Sequence, residues 1–338
     1  MFHFLATSIH NDFQNLSIYY KPDSDESFRM NTHDPILDSE EMLIARIREL
    51  SSPMTPQPTD VEARLSPLPG VRTVLFDAYG TIFMSASGDI NMVGAGNQAR
   101  ALRESLVCAG FTGRLEEAGK RGCDLLADAI RATHATHRDA GAAFPEVDIR
   151  EEWSRVLRQL QEEGLLTGSV AYESIQRVSV EYEFRVNPVW PMADMQTTLQ
   201  ALWDRGALLG LVSNAQFHTL LLFPAFFSKS FMLLGFNPYL CAFSYEIREA
   251  KPSTKLFTGI VEQLEREHGV TAAETLYVGN DMLNDVWAAS QCGLKTALFA
   301  GDARSLRLRK DDARCADMKP DAVITSLSQL LDIVNVPG

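Results

Sequence analysis

The 338-residue sequence predicts an α/β fold: a doubly wound parallel sheet with a helical insertion. Three observations carry this. Short apolar runs alternate with longer helical patterns. The runs are continuously apolar, as strands covered on both faces must be. The alternation is broken once, early in the chain, by a long helix-rich interval.

Residues 1–66 form an extension to that scheme. They are rich in Ser, Asp, Pro and Thr, and "KPDSDES" and "SSPMTPQPTD" have the composition of loop or disordered chain. Within them only "DSEEMLIARIREL" has helical spacing: Ser39 suits a cap, Glu40 and Glu41 the first turn, and Met42, Ile44, Ile47 and Leu50 an apolar face. The core is expected over 67–88 and 186–338. Its strands are expected at Val71–Phe76, Ala207–Val212, Thr275–Val278, Thr296–Ala300 and Ala322–Ile324, alternating with helices over "ADMQTTLQALWDRG", "STKLFTGIVEQLEREHG" and "SLSQLLDIV". That order is Rossmann-like, and ligands of such sheets bind beyond the carboxyl ends of the strands. Residues 89–185 read as helices without a convincing strand. Inserted directly after the first strand, they would hang over its carboxyl end as a cap.

Composition narrows the function. A net charge of −13 with no basic stripe argues against a nucleic-acid surface. No apolar stretch reaches the ~18 residues of a membrane span. Five scattered cysteines without C-x-x-C spacing predict reduced thiols and a cytoplasmic protein, and an anionic small molecule would be held by local groups against the overall field.

Four strand ends carry the polar residues. "VLFDAYGT" supplies Asp77, Tyr79 and Thr81; "GLVSNA" supplies Ser213 and Asn214; "REAKPS" supplies Lys251; "LYVGNDMLND" supplies Asn280, Asp281 and Asp285. In this order, at one sheet edge, they resemble the haloacid dehalogenase-like superfamily of hydrolases over about residues 70–335. The resemblance implies a nucleophilic Asp77, a substrate-oxygen contact from Ser213 and a charge-neutralising Lys251, with Tyr79, Thr81 and Asn214 lining the substrate. For the phosphatases of that superfamily it also implies Mg2+ held by Asp77, the Tyr79 carbonyl and the acidic motif of Asn280, Asp281 and Asp285. The chemistry agrees: a carboxylate nucleophile divides hydrolysis into two steps, a lysine keeps it ionised, and a hard cation takes carboxylate and carbonyl oxygens.

The departures are informative. Tyr79 stands where those phosphatases carry a second aspartate as general acid, a contribution worth ~10²–10⁴-fold. Asp77-Ala78-Tyr79-Gly80-Thr81 instead fits the metal-independent dehalogenases, whose fourth motif is less acidic than "GNDMLND"; Phe257 stands where they carry a tyrosine. Asn280 occupies the usual place of the first acid and Asp281 follows it. The expected function is therefore a magnesium-dependent phosphatase of a small phosphorylated metabolite. The alternatives are a metal-independent 2-haloacid hydrolase and a non-catalytic binding protein. Asp89 is a substitute acid if the chain folds back. His134 and His137 are expected to form a polar helix face, and Arg304, Arg307, Arg309 and Lys310 a solvated loop.

Overall fold

In the computed structural model, residues 35–86 and 95–335 are described; Asp89 lies outside them. The chain divides into two units, residues 1–38 and 39–338, and of the first only residues 35–38 are described, as the opening turn of a helix. In chain order the main strands are β1 (Thr73–Phe76), β2 (Phe83–Ser85), β3 (Val189–Pro191), β4 (Leu208–Ser213), β5 (Phe236–Phe243), β6 (Thr275–Gly279), β7 (Lys295–Phe299) and β8 (Ala322–Ile324). The main helices are α1 (Pro35–Leu50), α2 (Ala95–Cys108), α3 (Leu115–Asp139), α4 (Ile149–Glu162), α5 (Tyr172–Val186), α6 (Met195–Asp204) and α7 (Lys255–His268).

Six strands form a parallel sheet in the order β8-β7-β6-β1-β4-β5, with β1 at its centre. Side chains on both of its faces are buried. Val74 and Phe76 pack with Met195, Leu199 and Leu202 of α6 on one face. Leu75 and Tyr277 pack with Leu256, Phe257 and Leu264 of α7 on the other. This is the doubly wound core expected from the apolar runs. The five predicted strands are present within two residues at each end. Edge strand β5 escaped notice, because Asn237, Pro238 and Tyr239 interrupt its apolar pattern at an edge where a proline is tolerated.

The described residues of the helix-rich interval hold four helices, α2 to α5, around an apolar cluster of their own containing Leu102, Trp153, Leu157, Leu160 and Tyr182. A two-residue ribbon, Thr112–Gly113 against Leu166–Thr167, departs from the strand-free expectation. The interval is joined to the core by β2 and β3, which pair antiparallel in register Met84↔Trp190. It is further tied down by Gln216, whose Oε1 accepts from Ile149 N at 2.9 Å and whose Nε2 donates to the Val147 carbonyl at 2.9 Å.

Helix α1 begins four residues before Ser39, so Ser39 is no cap, and its buried stripe is Leu43 and Ile47 while Met42 is 51% exposed. The Pro-rich stretch after it has almost no regular structure, as its composition predicts, yet it is well held. Thr59 Oγ1 donates to the Ala300 carbonyl at 2.8 Å, Ala303 N to the Gln57 carbonyl at 2.9 Å, and Arg64 pairs with Val323. No helix among the described residues is long and apolar enough to cross a membrane.

Candidate active site

Asp77 ends β1, where its amide still donates to the Val278 carbonyl at 2.9 Å and holds it in line with the sheet. The chain then closes a tight turn: Ile82 N and Phe83 N both donate to the Ala78 carbonyl, at 3.0 and 2.9 Å. Gly80 makes that turn possible. Its φ is +84°, and a Cβ there would stand 2.7 Å from Asn280 Nδ2 and from Ser305 Cβ.

Two side chains converge on the Asp77 carboxylate, one from the end of β4 and one from the loop before α7. Ser213 Oγ, at the end of β4, donates to Oδ1 at 2.8 Å. Lys251 Nζ donates to the same oxygen at 2.7 Å and to Asp285 Oδ1 at 2.6 Å. The lysine is 5% exposed, so two desolvated carboxylates flank one desolvated ammonium. Burial alone would lower its pKa; Asp285 and Asp77 outweigh that and hold it above the ordinary lysine value, so it stays charged. Asp285 is pushed up to about 6 by burial, with Asp77 and Asp281 adding to the rise and Lys251 opposing it.

Tyr277 on β6 completes the lysine's shell and is a residue that sequence reasoning missed. Its hydroxyl lies 2.8 Å from Lys251 Nζ and donates to the Val212 carbonyl at 2.6 Å. Phe257 meets the Tyr277 ring edge to face, with centroids 4.8 Å apart. A tyrosine hydroxyl therefore reaches the lysine from the strand, although the helix position carries phenylalanine. Its signal was one polar atom within an apolar run, which strand spacing alone does not mark as functional.

The other predicted residues are placed as follows. Asn214 clamps the lysine's backbone: its Oδ1 accepts from Lys251 N at 2.7 Å and its Nδ2 donates to the Lys251 carbonyl at 3.2 Å. It acts as a positioning residue where a substrate contact was expected. Thr81 is fully buried and donates to Asn280 Oδ1 at 3.2 Å, which also removes it from the substrate side. Tyr79 OH shares a 3.0 Å hydrogen bond with Thr219 Oγ1, and burial, followed by the Glu183 charge, raises its pKa far above the ordinary phenol value.

The expected magnesium donors do not gather. Asn280 Nδ2 donates to the Ser305 carbonyl at 2.5 Å while its Oδ1 serves Thr81. Asp281 caps a π-helical turn, Met282–Trp287, and its carboxylate takes Arg309 through Nε at 3.1 Å and Nη2 at 2.6 Å. Asp285 serves Lys251 and accepts from Asp281 N at 2.8 Å. The π turn takes up the unusual register of the motif, since both Asp285 N and Val286 N donate to the Asp281 carbonyl. Among the described residues no three His, Cys, Asp or Glu side chains form a metal-holding group. With a guanidinium on Asp281 and an ammonium on Asp285, neither of these two carboxylates is free for a magnesium ion in this structure.

Arg309 is an exposed loop residue, as expected, that nonetheless reaches Asp281, and Arg304 pairs with Asp302 and the Thr55 carbonyl, each at 2.8 Å. His137 Nδ1 lies 3.1 Å from the Glu146 carbonyl.

A carboxylate at the end of the central strand, fixed by a serine at a neighbouring strand end and by a buried lysine, defines a class of α/β hydrolase. Residues 249–330 match the family described as HAD-hydrolase-like. The chain is 22% identical over 284 residues to phospholysine phosphohistidine inorganic pyrophosphate phosphatase of Homo sapiens, covering 79% of this chain and 95% of that protein. It is 26% identical over 144 residues to ribulose-1,5-bisphosphate 5-phosphatase of Halopiger xanaduensis, covering 42% of this chain and 56% of that one, so it spans about half of that relative. Among solved structures, a 2-haloacid dehalogenase from Pseudomonas syringae pv. Tomato DC3000 aligns with TM-score 0.46 and 22% identity over 78% of this chain and 97% of that one. Over residues 249–330 the chain is thus similar to haloacid dehalogenase-like hydrolases.

Proposed function

We propose that the protein hydrolyses a small phosphorylated metabolite through an aspartyl intermediate formed on Asp77. The observation that carries this reading is the one-sided engagement of the nucleophile. Ser213 and Lys251 both hold Oδ1, so the carboxylate is oriented and its second oxygen is directed to attack. The ammonium of Lys251 stabilises the ionised carboxylate, while Asp285 and Tyr277 fix that ammonium in place. The names of the curated relatives direct the choice toward phosphate. The α2–α5 insertion acts as the cap that selects the substrate and excludes water. Five free cysteines support a cytoplasmic setting.

The second reading is metal-independent attack on a carbon–halogen bond. It is favoured by the Tyr277 hydroxyl on Lys251 and by a carboxylate set already neutralised by the chain's own cations. The experiment is release of phosphate and of halide from substrate panels by wild type and Asp77→Asn, each with magnesium and with chelator. Phosphate release that needs Asp77 supports the first reading. Halide release that survives the chelator replaces it with the second.

A further inference from the structure

We propose that Arg150, at the start of α4, is a positioning residue: it seats the segment 144–150 of the insertion on the two core loops that carry Ser213 and Lys251, so that the nucleophile is aligned only while the insertion is in place. The inference rests on the reading in which Asp77 attacks phosphorus, and it concerns a residue that neither the strand-end motifs nor the comparisons assign.

The insertion is joined to the core at its two ends by the β2–β3 pair. Segment 144–150, in the middle of the insertion, makes a third attachment. Ala250 N, next in the chain to Lys251, donates to the Phe144 carbonyl at 2.7 Å, and Glu146 N donates to the Arg248 carbonyl at 3.1 Å, so that Pro145 and Glu249 pair as an antiparallel bridge. The other loop is held by the same segment. Gln216, three residues beyond Ser213, takes the Ile149 amide and the Val147 carbonyl, each at 2.9 Å. Ser244 then ties the two loops to each other and to the insertion: its Oγ accepts from Ala215 N at 3.0 Å and lies 3.0 Å from Glu146 Oε2.

Arg150 stands at the centre of this attachment. Its guanidinium carbon lies 5.0 Å from the centroid of Phe217 and 5.5 Å from that of Tyr245, one ring from each core loop. Its nitrogens are fixed from the insertion's own side: Nε and Nη2 donate to Asp148 at 2.9 and 2.7 Å, and Nη1 donates to the Tyr172 hydroxyl of α5 at 2.9 Å. Asp148 is buried and accepts from Arg150 N at 3.0 Å as the cap of α4, so the guanidinium and the helix start share one anchor. A planar, forked cation lies on aromatic faces and holds a carboxylate in one geometry at the same time, which an ammonium does not. Arg248 supports the seat from the lysine loop. Its φ is +61°, a conformation that a non-glycine residue keeps only where its surroundings impose it, and its Nη2 donates to Glu151 of α4 at 2.7 Å.

The consequence for chemistry follows from what the loops carry. Ser213 and Lys251 hold the same oxygen of Asp77, at 2.8 and 2.7 Å, so a shift of either loop turns the nucleophile. A misplacement of about 1 Å costs on the order of 10²-fold in rate. Swinging the insertion out about β2 and β3 breaks its contacts with both loops. Enclosure of the substrate and alignment of Asp77 are therefore one event.

The test reads the lysine as well as the rate. Arg150→Met keeps a long apolar side chain on the rings and removes the charged fork. Gln216→Ala opens the seat from the core side with Arg150 intact, and serves if the methionine variant does not fold. For wild type and each variant, kcat and KM are measured with p-nitrophenyl phosphate, and reductive methylation of Lys251 is followed by peptide mass spectrometry with exposed Lys319 as the control. The expected result is a fall in kcat of ~10²-fold with KM changed less than about threefold. Lys251 is expected to be methylated at least ~10-fold faster and Lys319 at its wild-type rate, since only a local opening exposes the lysine. Arg150→Met with Gln216→Ala is expected to lose little more than the worse single variant, because both open the same seat. Arg150→Lys is expected to fall with the methionine variant. Wild-type kcat in the folded variants, or a loss of kcat with Lys251 as protected as in wild type, overturns the role of Arg150. If wild type shows no Asp77-dependent turnover of the ester, the phosphatase reading fails, and the methylation rates alone decide the seat: faster labelling of Lys251 upholds it and unchanged labelling overturns it.

Discussion

Two carboxyl groups, Asp285 and Glu183, are held in contrasting ways. Asp285 is fully committed. Lys251, Tyr277 and the Asp281 amide occupy its oxygens, and Gly279 is glycine because a Cβ there would overlap the Asp285 side chain. Among the described residues Glu183 has one long hydrogen bond and no counter-ion. Both are raised in pKa, to about 6 and about 7, with burial as the leading cause, yet only Glu183 keeps a proton that no ion pair claims. Desolvation alone does not make an acid catalyst. A buried carboxyl bound to a lysine is scaffold, whereas one held by a single long hydrogen bond keeps its proton for want of a cation.

The sharpest break of the comparison is at the lysine. Lys251→Met leaves Asp77 and Asp285 buried without their cation, and is expected to cut turnover at least ~10³-fold and to cost about 3–5 kcal/mol of stability. Denaturant melts and steady-state rates check both. A variant as stable as wild type would show that the carboxylates do not depend on Lys251.

Next is Arg309, whose guanidinium stands on Asp281. Wild-type Tm is expected to be indifferent to millimolar magnesium. Arg309→Ala, with Asp281 released, is expected to gain about 2–4 °C for each kcal/mol of binding. Equal magnesium responses in the two proteins would contradict the occupied state of that carboxylate.

The smallest effect is in the pH dependence of stability. Glu183 binds its proton more tightly folded than unfolded, so its contribution is fully present below the unfolded pKa and is lost as pH rises through about 7. The unfolding free energy of Glu183→Gln relative to wild type, read from denaturant melts, is therefore expected to climb between pH 5 and pH 8 by an amount on the order of 1–3 kcal/mol. A difference that stays flat over that range would show an ordinary glutamate.

What the sequence disclosed and withheld follows from range. The sheet was legible because continuously apolar runs ending in Asp77, Ser213 and Asn280 have few other uses, and the structure brings Asp77 and Lys251, both singled out in the sequence, into contact. Asn214 and Thr81 were expected to line the substrate and Asp281 to hold magnesium; in the structure each is bonded within the chain. Each is a short polar side chain whose partner lies far away, such as the Lys251 backbone or Arg309, and periodicity carries no information about such pairs. Tyr277 was missed for a related reason. It is a lone hydroxyl in an apolar strand, and its ring is set by packing against Phe257.

The claim on which the rest depends is that Asp77 becomes covalently modified. The direct measurement is rapid acid quench of wild type during turnover of a phosphate ester, followed by peptide mass spectrometry. The account predicts a phosphoryl adduct confined to the peptide containing Asp77 and absent from Asp77→Asn, which should also have lost turnover. Phosphate release by the Asp77→Asn variant at the wild-type rate, with no adduct at that position, would contradict it.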